Sequence, residues 1–224
     1  MTTAKPKPAG LRFSPGNHTY RLDGKPVPGV TGIIGVLDKP AIPRWAAKQV
    51  AEYVVGNPEG VSSLLAMGEG PATAALTAIP WQKRDEAAVR GTDVHALADK
   101  IINGEAVEVP DHLLAHVQGY VRFLDDWQVE PILTEFAVGS REHWYAGTGD
   151  AIVRCGRGPW AGATVLWDWK TSRGVYGETA LQTGAYAGAE FYGLAGDEKP
   201  LPTIERIGVV HVTEHGSALH DLGD

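Results

Sequence analysis

Two acidic residues and a lysine in the second half of the chain could do chemistry together: Asp150, then Asp168 and Lys170, followed by Gln182 and Tyr186. Residues 163–170, ATVLWDWK, read as an apolar β-strand, in which a period of two puts Leu166, Asp168 and Lys170 on one face and Val165, Trp167 and Trp169 on the other. A carboxylate and an ammonium sharing a face after an apolar run suit neither an aliphatic core nor a solvated surface. They call for a metal or a ligand. On the strand around Asp150, the residues Thr148, Asp150 and Ile152 share a face, so pairing of the two strands would let Asp150 point toward Asp168. Neighbouring carboxylates repel unless a cation sits between them. A magnesium-type ion takes oxygen ligands and joins carboxylates to a phosphate. Lys170 on the same face could orient or help deprotonate an attacking water and offset charge developing on the phosphate. The chemistry implied is phosphodiester hydrolysis.

The elements that must position these groups follow from periodicity. Gln182 and Tyr186 are four apart on a helix expected over 178–194, with Ala185 and Ala189 beside them allowing close approach to a sheet. A helix expected over 84–102 carries Val94, Leu97 and Ile101 as its core stripe. Ala88, Gly91, His95 and Ala98 lie on a neighbouring stripe, which makes His95 a candidate fourth metal ligand. Another helix, from Asp111 to Trp127 after Pro110, should bury Leu114, Val117, Val121 and Leu124. Strands are expected near 132–139, 147–154, 163–170 and 204–213. The residues around Asp23-Gly24 predict a hairpin. A helix after Ile42 has Trp45, Ala46, Gln49, Val50 and Tyr53 on its apolar side. Residues 56–80 carry the weakest pattern and read as short helices joined by loops.

Hydrophobic content of 43% and charged content of 21% are globular values, and no apolar run reaches membrane-spanning length. The first residues carry charge without an apolar core, reading as an arm rather than a secretion signal and pointing to a cytoplasmic protein. A single cysteine, Cys155, excludes an internal disulfide framework and any four-cysteine cluster site, and reads as an inert thiol. The net charge of −7 argues against a surface coated in positive potential, though not against local basic stripes. Arg44 with Lys48, and Arg173, are the residues placed to meet a nucleic-acid backbone. Arg44 and Lys48 suit an ordinary exposed helix face better than a dedicated DNA contact.

Taken in order, these stretches resemble the PD-(D/E)XK nucleases, specifically the RecB-like exonuclease branch with its bacteriophage relatives described as resembling the CRISPR-associated exonucleases. Residues 91–95, GTDVH, are similar to the helical G-x-x-x-H element, and Glu135 to the acidic residue of the first strand. Residues 147–150, GTGD, are similar to G-x-x-D, residues 168–170, DWK, to D-x-K, and residues 182–186, QTGAY, to Q-x-x-x-Y. The opening stretch from His18 through Tyr20 to Gly24, followed by 30–34, VTGII, and the segment 39–45, KPAIPRW, also look like the phage members.

The resemblance implies an α/β fold with a restriction-endonuclease-like core of helix, three strands, helix and strand, a mixed sheet flanked by helices. A largely helical N-terminal section with a β-ribbon (1–80) would pack on a nuclease core (81–224). It implies His95, Asp150, Asp168 and the Trp169 backbone carbonyl as ligands of one or two Mg2+ or Mn2+ ions, with Lys170 as the catalytic lysine. Gln182 and Tyr186 would serve the site from the helix, and Glu135 would be an outer-shell group or a ligand. Many relatives hold an iron–sulfur cluster on four cysteines, which this chain lacks. The chain ends soon after the turn at Glu214, where a further strand or helix is expected. The activity implied is that of a DNA exonuclease serving phage recombination or DNA processing, with a single-strand annealing recombinase as partner and the bacterial host's cytoplasm as location. A structure-selective endonuclease or nickase on the same site, and a non-catalytic DNA-binding module, are the alternative readings.

Overall fold

A computed structural model describes residues 10–194 and 197–223; the N-terminal arm lies outside these. A three-stranded ribbon opens the fold: β1 (Leu11–Ser14), β2 (Thr19–Leu22) and β3 (Lys25–Val27), with a 3-10 turn at Pro15–Asn17. Asp23 and Gly24 both take positive φ, 51° and 79°, as a type I′ hairpin turn requires, so the β2–β3 hairpin forms where the sequence places it. Helices α1 (Val30–Ile34), α2 (Ala41–Gly56), α3 (Pro58–Ala66), α4 (Glu69–Ile102) and α5 (Leu114–Trp127) follow. Then come β4 (Val129–Ser140), β5 (Tyr145–Cys155), β6 (Thr164–Lys170), α6 (Gly177–Ala187), β7 (Phe191–Leu194), β8 (Asp197–Pro200), β9 (Arg206–Thr213) and β10 (Gly216–Gly223).

The protein is thus a mixed α/β fold, a helical section followed by a seven-stranded sheet in the order β10-β9-β6-β5-β4-β7-β8. All neighbours run antiparallel except β6 and β9, which are parallel. Contacts divide the chain into two compact units, Met1–Val36 with Val94–Asp224, and Leu37–Asp93.

In the first unit, β6 is buried on both faces as far as Trp169. Val165, Trp167 and Trp169 join Ala98, Ile102, Tyr120 and Phe123 in one core layer, while Leu166 joins Val30, Ile152, Tyr186 and Ala189 in the other. Helices therefore cover both faces of the sheet, and the face assignment of 163–170 holds. A third cluster, Leu11, Tyr20, Leu22 and Val27 with Ala146 and Phe191, seats the ribbon.

Several element boundaries differ from expectation. Residues 56–80 form α3 and the first turns of α4, which continues through Pro80 although Pro80 has no N–H to give the Leu76 carbonyl. The buried stripe of α4 is Val94, Ala98 and Ile102, with Leu97 and Ile101 only half-buried. On α5 the buried residues are Val117, Tyr120 and Phe123, with Leu113 just before, whereas Leu114 and Val121 are exposed. The large aromatics, which remove more apolar area from water, set the rotation of this helix. The helix expected over 178–194 ends at Ala187, and β-prone Phe191 and Tyr192 pair with Gly139 and Val138, inside the edge strand β8. A further strand, β10, closes the other edge.

Candidate metal-binding carboxylate site

The site is built where the sheet comes apart. The β5–β6 ladder runs through Ile152 and Leu166 to Ala151 and Trp167 and then stops, although both strands continue. The β4–β5 ladder pairs Thr134 with Ala151 and Phe136 with Gly149, and skips the rung between them, Glu135 with Asp150. Asp150 therefore drops out of both flanking ladders. Its side chain takes over a ladder role: Trp169 N–H donates to Asp150 Oδ2 at 2.7 Å. Glu135, opposite it, sits in the left-handed region at φ 44°, a strained conformation for a non-glycine residue. That twist is what breaks the rung.

Four elements meet there. His95 from α4, Glu135 from β4 and Asp150 from β5 bring one ligand atom each to within 4.8 Å of one another. His95 Nδ1 lies 3.5 Å from Asp150 Oδ2. From β6, Asp168 Oδ2 meets Lys170 Nζ at 2.6 Å. Asp168 is 1% exposed, and neither of its oxygens receives a hydrogen bond of good angle, so the contact with Lys170 is a bare ion pair. A buried carboxylate left this under-satisfied is costly unless something else completes its shell.

The electrostatics follow from burial and crowding. Burial raises the Asp150 carboxyl above the usual carboxylate range, against the pull of Lys170 and the Trp169 N–H. Burial and then Asp150 raise Asp168, which Lys170 and His95 partly offset. Glu135 is pushed up to about 7 by burial and then by Asp150 and Asp99, although its exposed flank lets water screen part of this. Burial and Lys170 lower His95, against the Asp168 charge and a backbone hydrogen bond with Trp169, a shift toward the neutral ring that binds metals. Three carboxylates thus face one lysine. The local charge is negative, and the donor set of two or three carboxylates and an imidazole suits a divalent cation with oxygen preference.

Helix α6 closes the arrangement. Gln182 Nε2 donates to Tyr186 Oη at 3.1 Å, and Tyr186 is 3% exposed. Burial raises its hydroxyl strongly against the Gln182 hydrogen bond, and Tyr20, Asp150 and Asp168 raise it further. The Tyr186 ring crosses β5 at Gly147, where an added Cβ would lie 2.3 Å from Cε1; Gly149 likewise makes room for Phe136, 2.7 Å from its missing Cβ. The two glycines before Asp150 are therefore packing requirements of the two rings that wall the site.

Of the residues singled out in the sequence, His95, Glu135 and Asp150 converge directly. Asp168, Lys170 and the Trp169 backbone adjoin them, and Gln182 and Tyr186 stand above on α6. Arg173 is exposed in the segment after Lys170, and Ser172 of that segment bonds its backbone carbonyl to His211 Nε2 at 2.6 Å. Arg44 and Lys48 lie exposed on α2 in the other unit, Lys48 pairing with Glu52 at 3.4 Å. Cys155 is fully buried in β5, and burial pushes its thiol up to about 11.

Two groups escaped sequence reading. Asp99 lies one turn after His95 on α4, its charge felt at Glu135, and the four-residue spacing was the available signal. Tyr20 reaches Thr148 across 128 residues, a contact no local pattern announces. Among the described residues no helix is long and apolar enough to cross a membrane. Compared with known proteins, the chain matches no family model, and no curated protein matches it significantly.

Proposed function

We propose that the protein is a metal-dependent deoxyribonuclease with a restriction-endonuclease-like core, acting as an exonuclease on DNA. One observation carries the reading: His95, Glu135 and Asp150 converge where the sheet opens, and the buried Asp168, paired with Lys170, adjoins them. The charge deficit and the under-satisfied Asp168 favour Mg2+ or Mn2+ held by Asp150, Asp168, His95 and Glu135. Such an ion supplies neutralisation of charge building on a phosphate and activation of water. Lys170, fixed against Asp168, orients the attacking water and offsets charge on the phosphate oxygens. Gln182 and Tyr186 line the α6 side and orient the substrate backbone. Arg173, exposed three residues past Lys170, would meet the substrate backbone.

The test is cleavage of end-labelled linear DNA, with closed circular DNA alongside, in magnesium, manganese or EDTA. Wild type should degrade linear DNA only, and only with metal; Asp168→Ala and Lys170→Ala should lose at least about a hundredfold in rate. Cleavage of circles would make the enzyme an endonuclease. Undiminished cleavage by either variant would refute the site.

A further inference from the structure

The ribbon contributes a hydrogen-bonded chain beside the carboxylates. Thr148 lies two residues before Asp150 on the same face of β5, about 7 Å along the strand. Its hydroxyl meets Tyr20 Oη at 2.9 Å, and His18 Nε2 lies 3.3 Å from the same phenolic oxygen. Tyr20 is 5% exposed and cannot swing. Phe13 stacks on its ring at 4.9 Å, and at Gly29 an added Cβ would come 3.0 Å from its edge. The Tyr20 oxygen is within electrostatic reach of both Glu135 and Tyr186, so this chain borders the site.

His18, by contrast, is exposed, and it is held more firmly than an exposed side chain needs to be. Its backbone takes the left-handed conformation, φ 49°, and caps the 3-10 turn by donating its N–H to Pro15 O. Its ring packs edge-on against Phe13 at 5.2 Å and hooks onto Tyr20. Among the described residues its second ring nitrogen has no hydrogen-bond partner. A rigid imidazole with one unused nitrogen, on the rim of an acidic site, fits an anion. The hydrogen-bonded chain runs from Thr148, about 7 Å from Asp150, through Tyr20 to His18, so the imidazole lies out beyond the carboxylates.

We propose that His18 binds a phosphate of the substrate strand beyond the one being cleaved, with Tyr20 and Thr148 as positioning residues that fix its ring. The inference rests on the nuclease reading and narrows its substrate to nucleotide chains carrying at least two phosphodiesters. The test compares wild type, His18→Ala and Tyr20→Phe on a single-stranded oligonucleotide and on bis(p-nitrophenyl) phosphate, a diester with no neighbour.

His18→Ala should raise KM for the oligonucleotide about tenfold, one charge-assisted hydrogen bond's worth, with kcat held within about twofold. Its activity on the small diester should be unchanged. Tyr20→Phe should shift KM in the same direction by less. An unchanged KM in His18→Ala, or equal losses on both substrates, would overturn the proposal; wild-type KM in Tyr20→Phe would overturn the positioning role. A wild type inert toward both substrates would sink the nuclease reading instead. Oligonucleotide affinity by fluorescence anisotropy would then decide on His18 alone, with equal affinities of wild type and His18→Ala overturning its role.

Discussion

Asp168 carries the sharpest conflict between stability and function. Its carboxylate is buried, faces Asp150, and takes its main counter-charge from the lysine two residues away. Because burial and Asp150 raise its pKa, the folded protein holds a proton that the unfolded chain has already released just above the ordinary carboxylate range. Fewer protons on the unfolded chain mean that this group's contribution to stability falls as pH rises through that window and stays low above it. Asp168→Asn keeps the shape and removes the charge. In EDTA the variant should be more stable than wild type by about 1–3 kcal/mol near neutral pH. The advantage should shrink toward pH ~4, where both acids are protonated. Thermal unfolding of the two proteins across that range checks the sign; an advantage that grows with acidity would contradict the raised pKa of the buried Asp168 carboxyl. Added manganese should stabilise wild type and not the variant, because binding to the folded state alone raises stability by mass action.

At the scale of elements, the site depends on two strands that stop pairing while still running side by side. The skipped rung at Glu135 and Asp150 and the early end of the β5–β6 ladder open a gap into which side chains from α4, β4, β5 and β6 converge. Tyr186 of helix α6 packs against the sheet here because residue 147 lacks a side chain, and Phe136 of β4 because residue 149 does. Gly147→Ala would set its Cβ 2.3 Å from the Tyr186 ring. It should cost about 1–3 kcal/mol in stability by overpacking. Displacing Tyr186 and the Gln182 bonded to it should also lower kcat more than KM rises. Urea unfolding with steady-state kinetics on the same preparation checks both, and a variant with wild-type stability would show that the ring contact is easily relieved. His211 performs a comparable service on the far side of β6. It pairs in register with Lys170 and bonds to the Ser172 carbonyl, fastening the chain just past the lysine.

Across the whole molecule the two compact units differ in how much they bury. The sheet unit buries most of β5, β6 and β9 completely. In Leu37–Asp93, only Gln49, Ala72, Ile79 and Pro80 are buried among the described residues, and Val55, Leu65, Met67, Trp81 and Val89 are all more than half exposed. Local stability follows buried apolar contact. Hydrogen exchange read by mass spectrometry should therefore show α2 and α3 exchanging orders of magnitude faster than β5 and β6. Uniform protection across both units would mean that the helices gain stability from a source other than their own burial. The net charge of −7 is consistent with this picture: the protein as a whole is acidic, and the carboxylates of the site add to the total.

The amino-acid sequence alone determined which side chains of 163–170 share a face, because a strand's period of two allows only one division once its boundaries are known. It determined the hairpin at Asp23-Gly24, because few residue pairs tolerate positive φ twice in succession, and the helical phase that puts Gln182 beside Tyr186. It did not determine the rotation of α5, where Leu114 and Val121 are as apolar as Val117 and only the competition of Tyr120 and Phe123 for the tryptophan layer decides. Nor did it reveal that Phe191 leaves the helix for a strand, since the partner that makes a strand favourable, β4, lies some fifty residues earlier. The convergence of His95, Glu135 and Asp150, the left-handed turn of Glu135 that opens the sheet, and the reach of Tyr20 to Thr148 belong to the tertiary structure. Each depends on contacts between residues far apart in the chain, where local propensity carries no information and packing decides.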